Sequence, residues 1–270
     1  MSIFRGDLFR GKVALGTGGG TGICRGIAEA LAAHGARTVL VSRKAEHLEP
    51  TAAEIIARTG QACLAVVADV RVPEQVEEAV AQAIDVMGRI DILINGAAGN
   101  FLCPAADLSP NAFGTVIDID TKGTWNVSRA VYHAWMRAHG GQILNISATL
   151  HHGGTPMQLH VSAAKAGVDA LTRNLAVEWG PEGIRVNAIA PGAIGDTEGV
   201  RRLLPGDLAE EYARAVPIRR MGRIDDIANL ALFLLSDAAS NINGEVIVSD
   251  GGQSLCGTPF RPGDVTRPRA

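Results

Sequence analysis

A glycine-rich run near the N-terminus has the residue types needed to bind a pyrophosphate. Residues 17–23 read Thr-Gly-Gly-Gly-Thr-Gly-Ile and lie between an apolar stretch and a pattern typical of a helix. Because glycine has no side chain, backbone N–H groups could approach phosphates at the N-terminus of that helix. An ordinary tight turn from strand to helix is the alternative. We assign cofactor contact in this run to Gly18, Gly20, Thr21, Gly22 and Ile23.

The next apolar stretch ends in residues that indicate which dinucleotide would bind. Val41 and Ser42 are followed by Arg43 and Lys44, and no acidic residue is present to accept a hydrogen bond from an adenosine 2′-hydroxyl. An arginine can instead bind a 2′-phosphate through two parallel hydrogen bonds. We therefore expect NADPH, with Arg43 and Lys44 at its 2′-phosphate. A solvated basic pair that begins the next helix is the alternative.

Three motifs together resemble the short-chain dehydrogenase/reductase superfamily. They are the glycine-rich run, the Asn-Gly-Ala-Ala sequence at 95–98 and the Pro-Gly pair at 191–192. The resemblance assigns Asp69 and Val70 to the adenine, and Asn95 to the central strand near the ribose. One departure is Cys24, which stands where the family has a third glycine and should narrow the gap between helix and sheet. The family's segment beside the nicotinamide amide matches Pro191, Gly192, Ile194 and Thr197.

The acid that the superfamily normally uses is absent from this chain. In that family a Tyr-x-x-x-Lys pair, helped by a serine, protonates the carbonyl oxygen of the group that receives hydride. This chain keeps Lys165, but Val161 stands at the tyrosine position and Ala148 at the serine position. We therefore predict that it is not an ordinary alcohol or ketone oxidoreductase.

Longer stretches are similar to the 2,4-dienoyl-CoA reductases of the peroxisomal type, which also lack the tyrosine. The similarity runs over about 9–251 and is carried by 95–104, 118–121, 125–129 and 176–181. These enzymes use NADPH to reduce a 2,4-dienoyl-CoA to a 3-enoyl-CoA in unsaturated fatty acid degradation. The resemblance implies the same reaction here and a homo-oligomer, a tetramer in many relatives. A reductase of another activated alkene or carbonyl, and a catalytically silent NADPH-binding protein, are the alternatives.

An acyl-CoA thioester would need cations for its phosphates and an apolar path for its acyl chain. By resemblance, Arg71 and Arg202 are candidates for the phosphates, and Phe101 for the acyl channel. Ser109 and Asn111 lie at the start of a predicted helix, whose free N–H groups would form another anion site. Exposed arginines are common, so a purely solvated role for them is the alternative.

The expected reaction explains why a tyrosine is dispensable. Hydride added at the far end of a dienoyl thioester pushes charge onto the thioester oxygen, and the dienolate then needs hydrogen-bond donors and a proton at its α-carbon. We expect Lys165 to hold the ribose and lend positive charge. Asp120 would hold a water between the two side chains as the proton source. The alternative for Asp120 is a helix carboxylate paired with Lys122 or Arg129.

Three histidines near the expected site could also relay protons, because histidine titrates near neutral pH. They are His151, His152 and His160. Their positions favour solvent-exposed loop side chains without a catalytic role. The two tyrosines, Tyr132 and Tyr212, fall in helical patterns away from the family's catalytic position and are expected to pack.

These residues require a scaffold of alternating strands and helices. Strands that are apolar throughout and separated by helical patterns predict an α/β fold with a doubly wound parallel sheet, the Rossmann fold, in a single domain spanning 1–270. The predicted strands are 12–15, 38–41, 62–68, 90–94, 142–146, 186–189 and 245–248. Gly, Pro and charged residues predict a substrate lid at about 192–215, and we expect an irregular tail at about 252–270.

Charge, hydropathy and cysteine usage argue against several classes of protein. The formal net charge is −3 and no run of Lys or Arg occurs, so we expect no nucleic-acid partner. No apolar stretch is long enough for a membrane span, and the N-terminus is not typical of a signal peptide. The four cysteines are far apart, which predicts reduced thiols and no metal site. Since the last residues are not Ser-Lys-Leu-like, we expect a cytoplasmic protein.

Overall fold

The computed structural model describes residues 2–203 and 207–256, apart from the side chains of 202–208. Its strands are β1 (Val13–Thr17), β2 (Arg37–Ser42), β3 (Cys63–Val67), β4 (Ile92–Asn95), β5 (Gly141–Ile146), β6 (Ile184–Pro191) and β7 (Val246–Ser249). Within the described residues they form one parallel sheet in the order β3-β2-β1-β4-β5-β6-β7. The predicted doubly wound parallel sheet is confirmed.

Helices cover both faces of this sheet, which explains why the strands are apolar throughout. Every residue of β1 and of β4 is buried, as expected for a parallel sheet between two helical layers. β1 pairs with β2 on one side and with β4 on the other, so the strand order reverses there. In sheets of this kind, ligands bind beyond the carboxyl ends of the strands where the order reverses.

One long helix contains two π-helical turns. The helices are α1 (Gly22–Ala33), α2 (Ala45–Thr59), α3 (Pro73–Met87), α4 (Pro110–Ile117), α5 (Gly123–Val131), α6 (Arg137–His139), α7 (Leu159–Trp179), α8 (Glu198–Leu203), α9 (Asp207–Ala215) and α10 (Ile224–Leu235). The turns Asp118–Lys122 and Tyr132–Met136 join α4, α5 and α6 without a break. Such turns are rare and often lie at functional sites.

Two apolar clusters hold the helices against the two faces. On one face, Val76 of α3, Val127 of α5 and Leu175 of α7 belong to a cluster that includes residues of the central strands. On the other face, Ile27 of α1 and Ile227 of α10 pack in a second cluster with β4 and β5. The loops at the carboxyl ends of the strands are therefore attached to a packed, two-sided scaffold.

Each predicted strand is present, and its observed ends differ from the predicted ones by two residues or fewer. The predicted lid range contains α8 and α9, and 204–206 lie outside the described residues. Of the predicted tail, a short helical turn at Gln253–Leu255 is described and 257–270 are not. The single domain, the lid and the tail therefore stay predictions. Among the described helices, none combines the length and apolar character needed to cross a membrane.

Candidate active site

The glycine-rich run follows β1 directly and adopts conformations that favour glycine. Gly18 has φ +67° and Gly22 has φ +57°, a region that other residues rarely enter. A Cβ at Gly18 would lie 2.9 Å from the carbonyl oxygen of Gly96, in the loop after β4. The Thr17 hydroxyl accepts hydrogen bonds from the N–H groups of Gly96 (3.0 Å) and Ala97 (3.2 Å). The run is thus fixed against the second family motif at the switch point of the sheet.

Two further positions show how tightly this run is packed. A Cβ at Gly20 would meet His47 of α2 at 3.0 Å, and the Gly20 carbonyl accepts a hydrogen bond from Thr51 at 3.2 Å. The Cys24 sulfur occupies the space that a side chain at Gly96 would need. Burial raises the pKa of the Cys24 thiol to about 12, although the charge of Lys165 opposes the shift. Cys24 therefore packs as a neutral thiol.

The basic pair after β2 lies on the surface. Arg43 and Lys44 are both exposed, and the Lys44 ammonium lies 3.0 Å from the carboxylate of Glu46. Hydrogen bonds from Arg71 hold the pKa of the Asp69 carboxyl below its ordinary value, and the charge of Arg43 adds a smaller effect in the same direction. Arg43 is therefore near the end of β3, where the adenine contact was predicted.

Arg71, a predicted phosphate ligand, forms an ion pair with its neighbour. Its Nε lies 3.0 Å from both carboxylate oxygens of Asp69, and its Nη2 lies 2.5 Å from one of them. The Arg71 side chain is still more than a third exposed, so it remains accessible to an anion. Val70 is buried, and its carbonyl accepts a hydrogen bond from Asn126 at 2.9 Å.

Asn95 is part of a buried chain of hydrogen bonds that the sequence did not reveal. Its amide donates to Ser128 of α5 and to Asn145 of β5, both at 2.9 Å. Asn145 in turn donates to Thr172 of α7 at 2.8 Å. This chain links the ends of two central strands to both neighbouring helices, so it fixes the frame around the predicted ribose site.

Asp120 and Lys165 meet in a buried ion pair. The Lys165 Nζ lies 3.0 Å from the Asp120 Oδ2, with the two side chains 7% and 0% exposed. Asp120 is in the first π-helical turn, and its Oδ1 accepts the N–H of Gly99 at 2.8 Å. The Lys165 ammonium also donates to the Ile146 carbonyl at the end of β5, at 2.9 Å. Both charges are therefore compensated by each other and by backbone groups.

This geometry excludes the alternative partners offered for Asp120 and corrects one detail of the expected arrangement. Lys122 instead pairs with Asp118 at 2.6 Å, and Arg129 with Glu77 at 3.1 Å, so the surface pairing offered as the alternative for Asp120 is wrong. The expectation that a water separates Asp120 from the lysine is also wrong in this structure, since the charged atoms are in direct contact. A proton-donating water would have to bind beside the pair.

The position of the missing acid is filled by apolar packing. Val161 is 3% exposed and belongs to a small cluster with Val116 and Ala164. The hydroxyl of Ser147, next to Ala148, donates to Asp169 at 2.5 Å rather than facing an open site. No described group therefore replaces the tyrosine at its own position.

A second buried acid was missed in the sequence. Asp169 is 2% exposed and lies one helical turn after Lys165 on α7. Its second carboxylate oxygen lies 2.7 Å from the Nε2 of His151. The spacing of four residues from Lys165 on one helix was the available signal, but the contact with His151 depends on how the loop after β5 folds back.

The histidines do not all behave as expected. His152 is exposed, as predicted for a loop residue, but His151 is only partly exposed and His160 is fully buried. The His160 Nε2–H donates to the Phe101 carbonyl at 3.1 Å, and its ring stacks on that of Phe101 with centroids 4.1 Å apart. The exposed reading is thus wrong for His160, because α7 begins at Leu159 and turns this side chain inward.

The histidine–aspartate cluster also has the residue types of a metal site. One ligand atom each from His151, His152 and Asp169 lie within 4.8 Å of one another. Asp169 already binds both His151 and Ser147, so a metal would have to compete with these contacts.

The remaining predicted residues lie around the same edge of the sheet. Thr197 donates to the Ile194 carbonyl at 2.8 Å, and its methyl group lies 3.8 Å from the Cβ position of Gly22. Gly192, after the end of β6 at Pro191, leaves no room for a Cβ, which would lie 2.8 Å from Asp250. The predicted nicotinamide segment thus reaches the glycine-rich run.

The structure describes the predicted substrate-binding residues only in part. Ser109 caps α4 by accepting the Ala112 N–H at 3.1 Å, so the predicted helix start is confirmed but one of its free N–H groups is already bound. Asn111 is exposed in the first turn. The side chain of Arg202 lies outside the described residues. Tyr132 stacks on Trp179 with centroids 4.2 Å apart, as expected for a packing role.

Comparisons with known proteins agree with this geometry. Residues 16–254 match the family model described as enoyl-(acyl carrier protein) reductase. The chain is 53% identical to the (3E)-enoyl-CoA-producing peroxisomal 2,4-dienoyl-CoA reductase of Rattus norvegicus over 251 residues, 93% of this chain and 86% of the rat protein. It is 48% identical to the Saccharomyces cerevisiae enzyme of the same description over 260 residues, 95% and 89% of the two chains.

The peroxisomal names of these relatives contradict the expectation of a cytoplasmic protein, which was wrong. The physical reason is that surface charge, a packed α/β core and reduced thiols suit either compartment. The residues from which the address was judged lie outside the described part of the chain.

A solved structure also resembles this chain closely in both fold and sequence. The short-chain dehydrogenase of Bacillus anthracis str. 'Ames Ancestor' superposes with a TM-score of 0.86 at 44% identity, covering 93% of this chain and 100% of that chain. The glycine-rich run, the retained lysine on α7 and the relatives' identity all lead to one conclusion. The chain belongs to the short-chain dehydrogenase/reductase family and, within it, to the group that contains the peroxisomal 2,4-dienoyl-CoA reductases.

Proposed function

We propose that this chain is an NADPH-dependent oxidoreductase that acts on a CH–CH bond and converts a 2,4-dienoyl-CoA into a 3-enoyl-CoA. The observation that carries the proposal is the buried ion pair between Asp120 and Lys165. Beside it, the buried side chain of Val161 occupies the position at which the family usually has its catalytic tyrosine. A carbonyl reductase needs an acid at the oxygen that receives the proton, whereas a dienoyl thioester needs its proton at carbon. The names of the rat and yeast relatives support the same reaction.

The edge of the sheet fits a nicotinamide dinucleotide. The start of α1 has no side-chain cap, so the N–H groups of Gly22 and Ile23 could meet a pyrophosphate there. The N–H of Gly18 donates to the Val41 carbonyl at 2.9 Å, so Gly18 shapes the turn that leads to this helix. Arg43 is an exposed cation at the end of β2 that could bind a 2′-phosphate, and no acidic residue lies within 41–44. The cofactor would supply the hydride, and the segment with Ile194 and Thr197 would hold its amide.

The Lys165 ammonium has one N–H group available for the cofactor or for a water. An ammonium group has three N–H donors. Those of Lys165 are directed to the Ile146 carbonyl and the Asp120 carboxylate, which leaves a third for a ribose hydroxyl or a water. Asp120, held by Gly99, would orient that water for proton transfer to the α-carbon.

Asp169 is the second candidate for the proton source. Asp169 is buried one helical turn from Lys165. It contacts His151, whose side chain is 16% exposed. This arrangement supports a route by which a proton lost to the product could be replaced from solvent.

We also propose that Arg71, Arg202 and the start of α4 bind the phosphates of coenzyme A.

We further propose that the chain forms a homotetramer. Trp125 of α5 is 39% exposed and Val177 of α7 is 78% exposed, so two adjacent helices carry large apolar side chains on the surface. Burial of such groups between copies is favourable. Light scattering of the purified protein would show a mass of four chains, and a monomer would contradict the assembly.

The first prediction concerns the substrate class. A 2,4-dienoyl-CoA should be reduced with consumption of NADPH, while simple ketones and secondary alcohols should react poorly because no group stands ready at their oxygen. Val161→Tyr should not improve dienoyl-CoA reduction. The loss of NADPH absorbance measures both rates, and ordinary turnover of the alcohol panel by the unaltered protein would rule out the dienoyl assignment.

The second prediction concerns the cofactor. Arg43→Ala should weaken NADPH binding by about 1.5–3 kcal/mol, the scale of a hydrogen bond to a charged group. NADH affinity should hardly change in the same variant, since NADH has no 2′-phosphate, and this serves as the internal control. Calorimetric titration measures both, and equal affinities for NADPH and NADH in the unaltered protein would contradict the assignment.

The third prediction concerns the ion pair. Asp120→Ala should lower kcat about 10²–10⁴-fold, the usual contribution of a general acid–base group, with NADPH affinity nearly unchanged. Lys165→Ala should impair both turnover and cofactor binding, and the two losses should not multiply in the double variant.

Asp118→Ala is the matched control, because Asp118 is a carboxylate of the same π-helical turn that pairs with Lys122 on the surface; it should keep its turnover. Removing Asp120 leaves a buried ammonium unpaired, at a cost of about 3–5 kcal/mol of stability, so Asp120→Asn and a thermal melt should accompany the kinetics. Full turnover by a folded Asp120 variant would contradict a role for Asp120 in proton transfer and would favour Asp169 and His151 as the proton source.

A further inference from the structure

The π-helical turn that carries Asp120 makes a second contact with α7. Thr121, the next residue of the turn, donates its hydroxyl to the Ala164 carbonyl at 2.8 Å. Ala164 directly precedes Lys165 in α7. A carbonyl oxygen has two lone pairs, so it can accept this hydrogen bond in addition to one from its own helix. The chain neighbours of the two charged residues are therefore bonded to each other as well.

Gly167 leaves the space that Thr121 occupies. A Cβ at Gly167 would lie 2.7 Å from the Thr121 Cγ2 and 2.9 Å from its Oγ1. Because threonine is branched at Cβ and its hydroxyl is already bound, this side chain has little freedom to move aside. Glycine destabilises a helix interior relative to alanine. Its presence inside the 21-residue helix α7 is therefore explained by close packing.

The chain just after the π-helical turn is packed as closely against another element. A Cβ at Gly123 would lie 2.6 Å from the Val70 Cγ2, in the loop after β3. The Val70 carbonyl also accepts a hydrogen bond from Asn126 at 2.9 Å. Single π-helical turns are rare within helices. This one is held by contacts with two separate elements, so a change in either contact would move the carboxylate of Asp120.

We infer that Thr121 and Gly167 are positioning residues, which set the approach of α7 to the π-helical turn so that Asp120 meets Lys165. The hydrogen bond and the close contact join the same two elements as the 3.0 Å ion pair. Both residues act on the reaction only through that pair. The inference rests on the proposed function and adds to it the residues that hold its reacting groups in register.

Threonine variants test the hydrogen bond. Displacing reacting groups by 1 Å can cost about 10²-fold in rate, so Thr121→Val, which removes the hydroxyl and keeps the shape, should lower kcat with a 2,4-dienoyl-CoA about tenfold. KM for the dienoyl-CoA should change little. Thr121→Ser keeps the hydroxyl and should retain most of the turnover. Full turnover by Thr121→Val would overturn the inference and leave the proposed function standing, whereas absence of dienoyl-CoA turnover by the unaltered protein would overturn both.

A double-variant cycle tests the close contact. Gly167→Ala should lower kcat in the unaltered background, because the added methyl group meets the Thr121 side chain. In a Thr121→Ala background the two atoms nearest to that methyl group are absent, so Gly167→Ala should cost little further turnover. Equal losses in the two backgrounds would place the effect of the methyl group elsewhere and overturn the inference.

A solvent isotope effect separates positioning from a loss of folded protein. Slower proton transfer should increase the effect of heavy water on kcat in Thr121→Val, whereas partial unfolding would lower kcat without changing that effect. An unchanged isotope effect together with a lower kcat would therefore contradict positioning. Thr59→Val is the matched control, since the Thr59 hydroxyl donates to the Ile55 carbonyl at 2.7 Å at the end of α2. It should leave kcat and the isotope effect unchanged.

Discussion

The buried ion pair between Lys165 and Asp120 constrains the rest of the site. Removing two charges from water costs several kcal/mol each, and only close geometry with further hydrogen bonds repays it. The structure supplies these through the Gly99 N–H and the Ile146 carbonyl. Together with the ion pair, these two contacts join three elements to α7: the π-helical turn that carries Asp120, the loop after β4 and the end of β5. The position of these elements is thus tied to one electrostatic requirement.

The same pair explains how a family built around a tyrosine can work without it. With Val161 packed against Val116, no side chain in the described part of the chain offers a proton donor at the position of the family's tyrosine. What remains is the Lys165 ammonium with two buried carboxylates: Asp120, which is in direct contact with it, and Asp169, which lies one helical turn further along α7. Such a set suits charge that is spread over a conjugated thioester and a proton that must reach carbon.

Sequence patterns predicted the strands and the glycine-rich run because both follow from local rules: apolar runs between two helical layers, and glycines where φ is positive. The contact between His151 and Asp169 could not be predicted, since it joins a loop to a helix. The burial of His160 was not predicted, because a single polar residue at the start of a helix does not show whether its side chain faces the core or the solvent. The compartment was misjudged because composition does not encode it.

One consequence of the layout concerns how binding and chemistry are coupled. Gly99 contacts Asp120, and Phe101, two residues later, is clamped by His160. Any group bound against Phe101 would therefore contact the same short loop that holds the carboxylate. Interactions with a part of the substrate that does not react would then help to hold the reacting groups in place. Because only one residue separates Gly99 from Phe101, the contact with the ion pair and the contact with His160 constrain the same stretch of backbone.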